Sequence, residues 1–270
     1  GGVYVSDWHD FGECHDGDGS HRSSGRLYKV VYGQPTGQPF NLQTMTNTQL
    51  VDLHLHKNDW FVRHARRILH ERSVAGADLA DAQHQLWNVL NDNDQVTSKL
   101  QAMWTLSVTG GLARPQLESL LAHDSEHIRR WAIRLIFDEA PCDMGSGARQ
   151  ALFADSGTAE LLKAMAGAET SAKVRLEIAC CLQRMSHSDR LVLAEGLVAH
   201  AVDATDPYIP LMIWYGLEPA LLQAPTTAIN LAQASEIPLV RQFIARRLVD
   251  TNQPFSDQIV SAALVAVDDA

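Results

Sequence analysis

The chain has 270 residues, an ordinary apolar share of 46% and a formal net charge of -10 at pH 7, which suits a globular protein of one large or two modest domains. The acidic balance argues against a nucleic-acid partner, whose binding needs clustered cations facing phosphates. The longest apolar run, 208–217, contains Pro210 and Gly216 and falls well short of the ~20 residues of a membrane helix, so no membrane insertion by this segment is expected.

Residues 1–33 read as β. Val3-Tyr4-Val5 and Leu27-Tyr28-Lys29-Val30-Val31-Tyr32 are strand-prone runs separated by a polar loop of about twenty residues. Two strands alone make a marginal hairpin unless something covers one face. The opening Gly1-Gly2-Val3 reads as mid-strand, with no initiating Met, so the chain is expected to be an excerpt from a longer protein. Residues 34–48, following Gly33 and containing Pro35, Gly37 and Pro39, read as a linker.

The loop from Asp7 to His21 is the densest polar cluster, with Asp7, His9, Asp10, Glu13, Cys14, His15, Asp16, Asp18 and His21. Imidazole, thiolate and carboxylate are ligand types for zinc or another transition metal, and carboxylates for calcium. The candidate metal set is His9, Asp10, Cys14, His15 and Asp16. Its spacing matches neither a zinc finger nor an EF-hand. Two other readings stand beside it: a solvated loop bonded to its own backbone, and a contact to a substrate. Cys14, Cys142, Cys180 and Cys181 show no CxxC or CxxCH spacing. A Cys14–Cys142 disulfide is allowed but not demanded, and Cys180 and Cys181 read as small core residues.

From Asn47 onward the apolar positions follow helical spacing. Ile128, Trp131, Ala132, Leu135 and Ile136 share one helix face, as do Val240, Phe243, Ile244 and Leu248. Helix-start signals stand at Asp59, Asp94, Ser125, Ser171, Asp206 and Ser235. A shorter apolar segment precedes each, at 49–56, 79–91, 115–123, 159–166, 188–200 and 226–234. This is a helix–turn–helix unit repeated, with steps of 31 to 46 residues when Val62, Val96, Ile128, Val174, Ile209 and Val240 are aligned. The spacing and the Val/Ile-Arg opening of the second helix point to HEAT-like stacking. The expected fold is mainly α: a HEAT-like α-solenoid of five to six repeats over 49–270, preceded by a short β-hairpin.

Arginines concentrate on the second helices, among them Arg63, Arg66, Arg129, Arg175 and Arg241. One reading is an internal ladder in which each bonds a turn carboxylate or carbonyl of the next repeat, with Asp59 among the acceptors. The other is a stripe for an anionic ligand or acidic partner. His54 and His56, two apart, point to different helix faces and read as capping or inter-domain hydrogen bonds. Trp60, Trp87, Trp104, Trp131 and Trp214 read as packing between stacked helices. No GxSxG, P-loop, GxGxxG or HExxH motif occurs.

Asp7-Trp8-His9-Asp10 through Glu13-Cys14-His15-Asp16, then Gly25-Arg26-Leu27-Tyr28-Lys29-Val30, resembles the end of the β-propeller in large membrane-bound dehydrogenase-like proteins. His56 to Arg72, with Asp59-Trp60-Phe61-Val62-Arg63-His64 at its centre, is similar to the first helical repeat of the same family, and Pro210 to Pro219 to a later segment. Those proteins join a glucose/sorbosone-dehydrogenase-like propeller to HEAT-like repeats, and many continue into a cytochrome c domain. The resemblance implies that the hairpin is the last propeller strands and that the location is periplasmic or at the cell surface. It implies no cofactor in this fragment, with PQQ, calcium or haem c belonging to the parent. The function expected is a non-catalytic scaffold, docking other domains of the same polypeptide or a protein partner. The alternative is a fragment of a PQQ/sugar-dehydrogenase-like oxidoreductase whose active site is completed by further propeller blades.

Overall fold

The computed structural model describes residues 2–7, 25–34, 40–142 and 156–249. The chain divides into two compact units, Gly1–Met45 and Thr46–Ala270.

In the first unit, strands β1 (Val3–Ser6) and β2 (Leu27–Val30) pair antiparallel, with Val3 opposite Val30 and Val5 opposite Tyr28. Every residue of both strands is exposed, Tyr4 and Val5 as well as Leu27 and Val30. The alternation that makes these runs strand-prone therefore buries neither face within the described residues. Within the expected linker, Leu42–Thr44 form a 3-10 turn, opened by Asn41 accepting from the Gln43 amide at 3.0 Å.

The second unit is helical, with twelve α-helices among the described residues. They are α1 (Asn47–Asp52), α2 (Asp59–Val74), α3 (Ala80–Asp92), α4 (Val96–Val108), α5 (Arg114–Leu120), α6 (Glu126–Ile136), α7 (Ser156–Ala168), α8 (Ala172–Cys181), α9 (His187–Val198), α10 (Ile209–Leu221), α11 (Pro225–Ala234) and α12 (Pro238–Val249). The helices fall in pairs over the segments that the apolar periodicity marks. Helix α1 begins two residues before the expected 49. A reciprocal capping box holds it there: Thr46 accepts from the Gln49 amide at 3.2 Å, and Gln49 from the Thr46 amide at 2.9 Å. Helices α2 and α4 close with left-handed Gly76 and Gly110, whose amides bond Ser73 and Ser107 while the next amides reach Arg72 and Leu106, a Schellman ending.

Packing is local in sequence. Among the even-numbered helices, α2 packs on α4, α4 on α6, α6 on α8, α8 on α10 and α10 on α12. On the other side α1 packs on α3, α7 on α9 and α9 on α11. All the substantial helix–helix contacts among the described residues join helices no more than two apart along the chain. The core lies between the two rows, in residues such as Leu50, Leu69, Leu86, Met103, Ile128, Ile133, Leu162, Ile178, Leu197, Ile213 and Ile244, each at most 2% exposed.

The sequence signals for the even-numbered helices need correction in register. The residue that organises each turn stands three positions before the helix: His56, Asn93, His123, Glu169, Asp206 and Ser235. In all six turns its side chain accepts the amide two residues on, at 2.8 to 3.2 Å. Asp206 and Ser235 fill the role read from the sequence. Asp94 does not, because Asn93 takes the bond; Asp59 lies inside the first turn of α2, capped by Asn58. Ser125 and Ser171 donate their backbone amides at this turn, and neither side chain caps its helix. Counted from these residues, Val62, Val96 and Ile209 are not equivalent to Ile128, Val174 and Val240.

Candidate functional site

The turn register places Lys99, Arg129, Arg175 and Arg241 alike, each six residues after its turn residue. Arg129 and Arg175 repeat one geometry. One terminal nitrogen of Arg129 donates back to the His123 carbonyl at 2.9 Å, and one of Arg175 to the Glu169 carbonyl at 2.7 Å. The rest of each fork grips a carboxylate of the following pair, Arg129 to Glu169 at 2.7 and 2.8 Å and Arg175 to Asp203 at 2.5 and 2.6 Å. Arg175 and Asp203 are 3% and 2% exposed, so their charges survive only as a pair. The Glu169 hydrogen bond holds the Arg129 guanidinium above its usual range. Burial pushes the Glu169 carboxyl up, but bonds from Arg129 and the Ser171 amide outweigh it and leave the pKa lowered.

Arg63 stands outside this ladder: it is exposed and pairs with Asp59 on its own helix, a contact of small worth. Lys99 occupies the equivalent rung and donates to the Asn91 carbonyl at 2.8 Å. Arg241 holds the rung position on α12, half-buried. Neither Glu169 nor Asp203 stands out in the sequence as an acceptor. Asp203 sits in a 3-10 turn, Ala201–Thr205, that no apolar period marks.

Arg66 belongs to a different feature. Its Nε donates to Thr105 Oγ1 at 3.3 Å and a terminal nitrogen to Gln101, whose amide reaches Asp59 at 3.2 Å. The guanidinium lies over the Trp104 ring at 5.2 Å. Trp104 meets Trp131 edge-on, centroids 4.9 Å apart, and Arg134 covers Trp131 at 4.9 Å. Arg134 then holds Glu177 through two bonds of 2.8 and 3.0 Å, with Arg130 at 3.5 Å from the same carboxylate. Arg66, Trp104, Trp131, Arg134 and Glu177 thus form one continuous ridge across α2, α4, α6 and α8.

At its Glu177 end the ridge borders a cavity of about 300 Å³ lined by Arg134, Phe137, Glu177, Cys180, Cys181 and Arg184 among others. Cys181 is buried, as expected, but Cys180 is exposed, because one of two neighbours on a helix must face outward. Burial pushes both thiols up, the reverse of what a nucleophilic cysteine needs at neutral pH.

One histidine follows expectation and the other departs from it, because His54 bonds within the helical unit and not between domains. His56 accepts at the turn before α2, and His54 is buried between α1 and α4. His54 Nδ1 faces the Leu50 and Val51 carbonyls at 3.2 and 3.1 Å, so the ring proton sits there and Nε2 accepts from Thr105 at 2.7 Å. Of the tryptophans, Trp87 is half-buried with its indole donating to Gly111 at 3.1 Å, and Trp214 packs against Phe243. Trp60 departs from the expectation: it is 43% exposed and stacks on His64.

The metal candidates His9, Asp10, Cys14, His15 and Asp16 lie outside the described residues, as does the remainder of the loop from Trp8 to His21. Among the described residues no group of three His, Cys, Asp or Glu side chains is arranged to hold a metal ion, and no helix is long and apolar enough to cross a membrane. Comparison with protein-family models, curated proteins and solved structures gave no match.

Proposed function

We propose that the helical unit is a HEAT-like stack acting as a non-catalytic docking scaffold. Its setting is a larger exported, membrane-bound dehydrogenase-like protein at the periplasmic or cell-surface side. The hairpin would then be the last strands of that parent's propeller, and the two all-exposed faces of β1 and β2 are what strands awaiting further sheet would present.

The observation that carries the scaffold reading is the combination of neighbour-only helix packing with one turn chemistry repeated six times. A chain in which each pair touches only its neighbours has no central cleft to enclose a reaction, and it exposes a long row of helix faces suited to partner binding. The Arg129–Glu169 and Arg175–Asp203 rungs pin successive turns, which explains part of the arginine content structurally. Arg66, Arg130 and Arg134, beside Trp104 and Trp131, are of the residue types that dominate protein interfaces.

The test is co-purification of the helical unit with the propeller and cytochrome regions of the parent chain, in cis after linker cleavage and in trans. Stable association is expected. No association in either arrangement would overturn the docking role.

A further inference from the structure

We propose that the arginine–tryptophan ridge binds an extended acidic peptide segment of the docking partner, its carboxylates engaging Arg66, Arg130 and Arg134 and its backbone lying over Trp104 and Trp131. This rests on the scaffold reading and names the chemistry of the partner.

Charge is the first support. The chain as a whole carries -10, yet the ridge and its cavity bring together Arg66, Arg130, Arg134 and Arg184 against Glu177, Asp138 and Asp59. A cationic patch attracts acidic segments, while the net negative charge of the chain opposes association of further copies. Donor surplus is the second. Arg66 and Arg134 each use Nε and one terminal nitrogen internally, which leaves the other terminal nitrogen of each with no partner among the described residues. Trp104 Nε1 and Arg130 Nε also lack an acceptor among those residues, but they are buried out of reach of a surface peptide. What the patch lacks is acceptors, and a carboxylate-bearing strand supplies them in quantity. Accessibility is the third: the Arg134 and Arg130 side chains are 48% and 31% exposed, whereas the ladder arginines Arg129 and Arg175 are 16% and 3% exposed and have every guanidinium nitrogen already bonded.

The experiment is a fluorescence-anisotropy titration of the whole chain with labelled synthetic dodecapeptides at low salt. One is rich in Asp and Glu with spaced Leu; in its companions Gln or Lys replaces every acid. A single-stranded oligonucleotide and anionic lipid vesicles complete the set. Saturable binding of the acidic peptide is expected, weakened by added salt and by about tenfold in each of Arg134→Gln and Arg66→Gln. Arg67→Gln, the neighbouring arginine of α2 on a different face and paired with Glu71, should leave it unchanged. Thermal melts establish that the variants fold, and the two ridge substitutions act on different helices, so a folding defect in one does not shield the idea. Equal binding of the neutral peptide, no binding of any peptide, or tighter binding of the oligonucleotide or vesicles each overturn the proposal. If acidic peptide fails to bind while co-purification with the parent's other domains persists, the acidic-segment idea alone is lost. If the peptide binds through the ridge but no domain associates, it is the docking role that is lost.

Discussion

A single side chain, His54, couples the first two helix pairs to pH. It is 2% exposed, and its pKa is lowered to about 4. Burial is the largest cause; the Leu50 and Val51 carbonyls pull the other way, and the Arg66 charge adds to the lowering. The folded state therefore holds His54 neutral, while the unfolded chain protonates it near pH 6.5. Stability from this group is intact above pH 6.5 and is withdrawn as pH falls toward 4, because the unfolded state takes up the proton first. Between pH 7.5 and 5 the parent should lose about 2 kcal/mol more stability than His54→Leu, read from urea unfolding at each pH. Parallel profiles for the two proteins would falsify the assignment. Much at this scale escapes a reading of the sequence. The partner of His54 Nε2, Thr105, stands 51 residues away, and no local pattern marks a threonine as its mate. The ladder was half legible for the same reason: arginine type and helix position are local, but Glu169 and Asp203 become acceptors only once the next pair is stacked in place.

Elements were more legible than contacts, because helix periodicity and turn chemistry are written within a dozen residues. All six helix pairs lie over the segments that apolar spacing marks. Their register does not, since Val62-Arg63 copies the look of Ile128-Arg129 while sitting one residue later relative to its turn. With the register set from Asn93, His123 and Glu169, positions eight and eleven residues on give Gln101 and Trp104, Trp131 and Arg134, Glu177 and Cys180, which are the ridge from α4 to α8 and one wall of its cavity; counted from His56 the same positions give His64 and Arg67, not the ridge residue Arg66. From α4 to α8 the ridge is thus periodic in the sequence, but only in a frame that the turn geometry supplies. How tightly the elements approach can be tested at two glycines. A Cβ on Gly196 of α9 would lie 2.4 Å from the Lys163 carbonyl oxygen of α7, whereas one on Gly167 of α7 meets nothing within 4 Å. Alanine is the better helix former at both, so Gly167→Ala should stabilise by up to about 1 kcal/mol. Gly196→Ala must push two backbones apart, and a net loss of about 1–2 kcal/mol is expected because overpacking outweighs propensity. Urea midpoints of opposite sign bear this out; two stabilised variants would mean that α7 and α9 are not in close contact.

At the scale of the whole helical unit, the proposed stack and a single cooperative globule differ in how damage spreads. In a one-dimensional array each pair is held by itself and its neighbours, so the loss of one end leaves the other standing. In a globule built around one centre, every protected amide opens through the same global event. Ile244 on α12 is fully buried, and helix α12 packs on α10 and α11, with no substantial contact to α1 through α6. Ile244→Ala should cost about 2–4 kcal/mol locally through the cavity it leaves. Native-state hydrogen exchange then separates the two cases. In the stack, amides of α11 and α12 lose most of their protection, those of α9 and α10 lose less, and those of α3, α4 and α6 keep theirs. A uniform drop across α3 to α12 would show one cooperative centre, and with it the argument from neighbour-only packing to a docking scaffold would fall.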